Sequence, residues 1–362
     1  MLDDRVALCL PGGGATGVMF QVGALAALED RLGGFKGGTC DAYVGSSSGA
    51  SLAAALAAGL DVQRIYRAFL DPADDYFPLE RRHILRMDIA EWGRTVTSAA
   101  RALRQGARSL LSQSLAPSPA ALWEELARLY DSMPAGVFSL EGYERFLEET
   151  FARRGVPHQF NGLHKPLRVL AHELDSGEPA IFGAPGLEDV SIARACCASM
   201  ATPPLFSPVR IGDSHYINPS PCQVSHVEVA VAMGAKIIVV INPLVPLNVR
   251  RVPTGHGVRP SVRDKGAMWV SHQANRIKLQ GLLHLSIERV RRETDVNIVL
   301  VEPDAGDGEL FMHNPAGFGA RRAILEYAFR RTRRLLDSEI EAGTLPLGRA
   351  GWTPQATSAG ET

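Results

Sequence analysis

Two segments near the start of the chain share one hydrophobic grammar. Residues 6 to 10 (VALCL) are an uninterrupted apolar run of strand length, and after a glycine-rich break Val18, Val22, Leu25 and Leu28 recur at helical spacing. Glu29 and Asp30 then return the chain to water. The pattern repeats: 42 to 44 reads as a strand, 45 to 49 as a tight glycine-flanked turn, and the Ala/Leu-rich stretch 50 to 58 as a helix closed by Gly59. Apolar strands that each feed a buried helix predict an α/β fold whose first strands are parallel and central.

From 61 to 160 the strand runs disappear and helical patterns rich in Arg and Glu take over, including 121 to 130 and 140 to 151, which predicts a helical insertion. Strand candidates resume at 167 to 171, 180 to 182, 205 to 211, 237 to 241 and 296 to 301, with helices at about 224 to 234, 265 to 292 and 320 to 340. The second half of the chain is therefore expected to complete the sheet, giving one domain over 1–342. Beyond it, 343–362 lacks periodicity and reads as a flexible tail. Residues 6 to 28 carry no charge and are long enough to imitate a membrane span, but Pro11, Gly12, Gly13 and Gly14 break the stretch into strand, loop and helix.

Composition narrows the function classes. A chain of 362 residues with 46% hydrophobic and 21% charged side chains is of ordinary globular make-up. Its 38 basic and 39 acidic groups create no global field toward nucleic acid or an anionic membrane, and no basic stripe is interleaved with aromatics. Five cysteines (Cys9, Cys40, Cys196, Cys197, Cys222) without CxxC spacing point to a reducing compartment, and the acidic start MLDD is unlike a signal peptide. A cytoplasmic protein is expected. No cofactor or metal is expected either: the ten histidines show no HExxH spacing, and Asp304, Asp307 and Glu309 lack a calcium-loop pattern.

The chemistry falls on the two glycine turns. Gly12, Gly14 and Gly17 fit GxGxxG, but a dinucleotide site needs an acid at the end of the next strand, and Asp41 precedes that strand. The second turn, Gly45-Ser46-Ser47-Ser48-Gly49, fits GxSxG with Ser47 at its centre. A strand running straight into a helix strains the residue between them, and the flanking glycines remove Cβ atoms that would clash. The serine hydroxyl is then left at the C-terminal edge of the sheet, where the helix N-terminus favours negative charge.

The two turns together resemble the patatin-like phospholipase family. The resemblance extends to Ser199-Met200-Ala201-Thr202-Pro203, similar to the family's Ser-x-Ala-x-Pro segment, and to Gly234-Ala235 with the strand that follows. It implies a three-layer α/β/α patatin-like fold with a central, mostly parallel sheet. It also implies a lipid acyl hydrolase in which Gly12, Gly13 and Gly14 form the oxyanion hole, Ser47 is the nucleophile, and Gly45 and Gly49 shape its elbow. Such members use a Ser/Asp dyad, yet Tyr216-Ile217-Asn218-Pro219-Ser220 puts Asn218 where the aspartate would stand, and Thr16 occupies a loop position where members often carry Arg or Lys. An amide cannot take the serine's proton. Asp213, at a Gly-Asp hairpin tip, and His226, near a helix start, are the alternative bases, while His215 is expected to face away from Tyr216.

Two functions stay open on this reading. One is a lipid acyl hydrolase of phospholipase or esterase type, and the other a catalytically impaired pseudoenzyme that binds lipid or regulates. A lipid or acyl ester is the expected ligand of both, with 61–160 as a candidate lid. Arg101, Arg104 and Arg108 share a helical face compatible with peripheral membrane contact, though an ordinary solvated face has the same pattern.

Overall fold

The apolar run at the start of the chain forms β1 (Val6–Leu10), and α1 (Gly14–Arg31) follows Pro11, Gly12 and Gly13. In this computed structural model, residues 4–71, 73–89, 92, 93, 95, 97, 133–219, 225–251, 261–306 and 320–355 are described. The second unit is β2 (Ala42–Ser46) and α2 (Ser48–Ala57), followed by α3 (Val62–Leu70) and α4 (Glu141–Arg153). Next come β3 (Leu167–Glu173), β4 (Pro179–Phe182), α5 (Ile192–Met200), β5 (Val209–Ile211) and β6 (Ser214–Ile217). The chain closes with α6 (His226–Ala232), β7 (Ile237–Ile241), α7 (Ala267–Glu293), β8 (Asn297–Val301) and α8 (Arg321–Ala342).

The sheet runs β8-β7-β1-β2-β3-β6-β5, with β4 also paired to β3. β8, β7, β1, β2 and β3 are mutually parallel, and β4, β6 and β5 add antiparallel pairing at one side. Alternation along β1 sends Leu8 and Leu10 into one apolar layer with Phe20 of α1, Leu56 of α2 and Leu325 of α8. Ala7 and Cys9 enter the other, with Val227 of α6 and Ile287 of α7. The result is the expected α/β/α sandwich, and the uncharged stretch that imitated a membrane span is its buried centre. Among the described residues no helix is long and apolar enough to cross a membrane.

Two expectations change. Only Val209–Ile211 of the 205 to 211 run is a regular strand: Leu205 closes the Pro203–Leu205 turn, Phe206 makes only an isolated bridge to Phe138, and Pro208 withholds a ladder N–H. The segment after Gly343 is not a free tail as far as 355. Trp352 is buried edge-on against Phe35, and Thr353–Pro354 pairs with Leu32–Gly33. One anchoring aromatic needs no periodicity, so the pattern missed it. The stretch 121 to 130, Arg101, Arg104, Arg108, Cys222 and 356–362 lie outside the described residues. Cys9, Cys40, Cys196 and Cys197 are buried free thiols.

Candidate active site

Ser47 joins β2 to α2 with φ 52° and ψ −132°, and among the described residues it is the only non-glycine with positive φ. Such a conformation costs on the order of 1–3 kcal/mol and persists only where neighbours over-determine it. The flanking glycines make room: a Cβ at Gly45 would fall 2.7 Å from Ala50 Cα, and one at Gly49 would fall 2.1 Å from the Leu10 carbonyl oxygen. Ser199, fully buried at the end of α5, holds the turn from behind. Its Oγ accepts the Ser47 N–H at 2.7 Å and donates to the Leu170 carbonyl.

Asn218 lies just past β6 and is tied to the same helix end. Its Nδ2 donates to the Ser199 carbonyl at 2.5 Å, and its N–H donates to the Ala201 carbonyl at 2.8 Å. Ser47 and Asn218 line one cavity, and no hydrogen bond joins their side chains among the described residues. Asp213 sits fully exposed beside Gly212, paired with Arg210 at 3.3 Å, away from that cavity. Asp41 is at the opposite edge of the sheet, accepting the Val6 N–H and pairing with Lys165, where it could not reach a nucleotide bound at the glycine loop.

The glycine loop lies against the serine, since a Cβ at Gly12 would be 2.3 Å from Ser47 Cβ. The Gly12 N–H donates to Ser46 Oγ at 3.2 Å and the Gly13 N–H to Ser48 Oγ at 3.3 Å. Gly14 begins α1, and its N-cap Gly13 offers no side-chain cap, so the first-turn amides of Gly14, Ala15 and Thr16 have no intrahelical acceptor. Anions are favoured at such a helix start. Gln21, wholly buried, pins the loop by donating to the Pro11 and Ile241 carbonyls.

His226, at the start of α6, places Nε2 2.9 Å from Ser46 Oγ, beside the Ser47 turn and not on Ser47 itself. The ring borders the cavity but is otherwise enclosed, and burial pushes its pKa down to about 4. At neutral pH it is uncharged, and Nε2 can accept the Ser46 proton while Ser46 Oγ holds the Gly12 N–H. The sign of the linkage follows. Below about 6.5 the unfolded chain takes up a proton that the folded chain refuses down to about 4, so stability is intact above that window and falls through it as pH drops. Urea unfolding at pH 7 and pH 4.5 is expected to show about 2 kcal/mol more loss for the wild type than for His226→Gln. Equal losses would refute the assignment.

The cavity is about 510 Å³ and mostly apolar. Phe69, Phe77, Phe146 and Leu147 reach it from within 61–160, and Met19 and Leu52 from α1 and α2. A further wall is α7, which presents His272, Asn275, Arg276 and Leu283. The sequence predicted this helix without connecting it to the site. Ser46, Ser48, Gln21 and His272 were not singled out either, and Ser199 was noted only as part of a motif. Among the described residues, no carboxylate lines the cavity, and no group of three or more His, Cys, Asp or Glu converges to hold a metal.

A family model described as patatin-like phospholipase matches residues 8–218, a span that contains both glycine turns and ends on Asn218. Similar solved structures include VipD from Legionella pneumophila, at 14% identity over 93% of this chain and 67% of that one, with a TM-score of 0.37. Full-length ExoU in complex with full-length SpcU, from the type III secretion system of Pseudomonas aeruginosa, is 14% identical over 94% and 53%, with a TM-score of 0.38. A second structure of the type III effector ExoU is 19% identical over 92% and 53%, also at 0.38. The chain thus spans about half the length of ExoU. No curated protein matches it.

Proposed function

Starting from a chain that belongs to the patatin-like phospholipase family, we propose a serine-dependent acyl hydrolase of lipid esters, with Ser47 as nucleophile and a rate lowered by Asn218. The observation that carries this reading is the strained turn at Ser47, held by Ser199 and opening on an apolar cavity beside a glycine loop and a helix start. Strain of that kind is expended where a side chain must be presented to a reacting partner.

In this mechanism the acyl chain lies among Phe69, Phe77, Phe146 and Leu147, and the ester carbonyl meets Ser47 Oγ. Attack forms the Oγ–C bond, and charge moves to the carbonyl oxygen. Donors for it are Gly12, Gly13 and Gly14, and the first turn of α1 adds further amides and its dipole. Gly12 and Gly13 would exchange their Ser46 and Ser48 hydroxyls for the oxyanion as it develops. A backbone donor aimed in this way is worth on the order of 3 kcal/mol. Collapse breaks the ester C–O bond, the alcohol leaves with a proton, and water then releases the fatty acid from Ser47. With no carboxylate lining the cavity among the described residues, the proton of Ser47 has water as its first acceptor, which slows the acylation step. The parts of 61–160 that line the cavity support its role as a lid.

Asn218 itself favours a second reading, a lipid-binding protein that keeps the pocket and has given up turnover. A fluorophosphonate probe separates the two. Covalent labelling of the folded chain, mapped to Ser47 by mass spectrometry, is the expected result; a folded protein that leaves Ser47 unmodified would leave the binding reading in its place.

A further inference from the structure

The cavity at Ser47 has a solvent end and a buried end. Leu85, Met268 and Leu282 line it and are exposed, whereas Met19 of α1, Ala55 of α2 and Ile65 of α3 line it while almost wholly buried. The buried end lies in the same apolar core layer as Leu147 and Phe151 of α4, which also line it. Helix α2 runs from the serine toward that end: Ser48, Ser51, Leu52 and Ala55 line the cavity at i, i+3, i+4 and i+7, one continuous face. No residue of α2 past Ala55 does so. Beyond Ser48, the polar side chains with which α2 and α4 line the cavity are Ser51 and Tyr143. Their hydroxyls bond each other at 2.8 Å, so neither is stripped of a partner when an alkyl chain displaces water beside them.

A helix advances about 1.5 Å per residue, which sets Ala55 about 10 Å beyond Ser48. An extended chain covers about 3.6 Å in three bonds, or about 1.2 Å per bond, so that depth takes about eight bonds. We propose that α2 is a ruler for the acyl chain: an apolar sleeve along its 48–55 face, floored by Met19, Ala55 and Ile65, accepts about eight to ten carbons and leaves the remainder of a longer chain outside. Family membership leaves chain length open. Here it is set by the point at which the α2 face stops lining the cavity. The cleavage preference rests on the hydrolase reading above; the binding preference does not.

The test uses the full chain and straight-chain carboxylates from hexanoate to tetradecanoate, kept below their micellar concentrations, with binding read by calorimetry. Affinity is expected to rise about fourfold for each added methylene while the chain is still entering the sleeve. The rise should stop at about eight to ten carbons. Ala55→Leu, which raises the floor, should bring that break in by about two carbons, and Ile65→Ala, which lowers it, should move it out by about two. Each variant is scored once thermal unfolding has shown that it is folded. A wild type whose affinity climbs steadily to tetradecanoate, or that binds none of the series, overturns the proposal whether or not a variant folds. A break that fails to move in a folded variant overturns it as well. Turnover is measured separately on p-nitrophenyl esters of the same acids. A chain that shows the break in binding and hydrolyses none of the esters removes the hydrolase reading and leaves the ruler standing.

Discussion

Asn218→Asp is expected to raise the hydrolysis of a short-chain phospholipid by at least about a hundredfold, the lower end of what a positioned general base contributes. The substitution changes one atom's chemistry and little else. The backbone N–H of residue 218 stays on the Ala201 carbonyl, which keeps the side chain at the cavity. The amide Nδ2 now donates to the Ser199 carbonyl, and a carboxylate cannot, so repulsion between the two oxygens turns the new group away from Ser199. The cavity holding Ser47 is where it can go. Steady-state kcat/KM against pH checks this, since the gain should appear with the ionisation of the new carboxylate. An unchanged rate would mean that Asn218 is not what limits turnover, and would leave the imidazoles on the cavity wall, His226 and His272, as the acceptors to test.

The second large effect is conditional on the first. In the Asn218→Asp background, Ser47→Ala should cost about a thousandfold or more in kcat, whereas in the wild-type background the same change should cost far less. Groups that act as a unit lose their value together, and a nucleophile without its base is already short of most of its advantage. What survives in each serine-less variant is the contribution of the amide donors and of binding. Alanine at 47 also has to adopt φ 52°, so the comparison is made on variants whose unfolding has been measured, and relief or worsening of the turn is read separately from rate. Equal losses in the two backgrounds would show that residue 218 and Ser47 do not act together, and the dyad assignment would fail.

Much of this protein was legible in its residues. The run VALCL, the alternation of strand and helix grammar, and the two glycine turns are signals carried within a few neighbouring positions, and β1, α1, β2, α2 and β7 appear where the pattern put them. The GxSxG spacing announced a strained serine because the steric demand of a strand-to-helix turn is local, and Ser47 bears that strain. The residue that raises doubt about turnover, Asn218, was also visible, because its place is defined by a short motif.

The parts that escaped are those made by distant chain segments meeting. Ser199 supports the Ser47 turn from 152 positions away, and Gln21 reaches the Ile241 carbonyl across 220. No periodicity encodes such pairings. Trp352 is buried against Phe35, more than three hundred residues earlier, and looked like part of a tail for the same reason. Helix α7 reads from sequence as a mixed polar and apolar segment, and nothing along the chain says that His272, Asn275 and Arg276 face the cavity of a serine more than two hundred residues earlier. Sequence alone determined most of the elements, the buried centre and the strained turn at Ser47, because backbone sterics and hydrophobic periodicity act over a few residues. Only tertiary structure decided which walls enclose that turn and what charge they carry, because those depend on where the sheet order brings remote helices together.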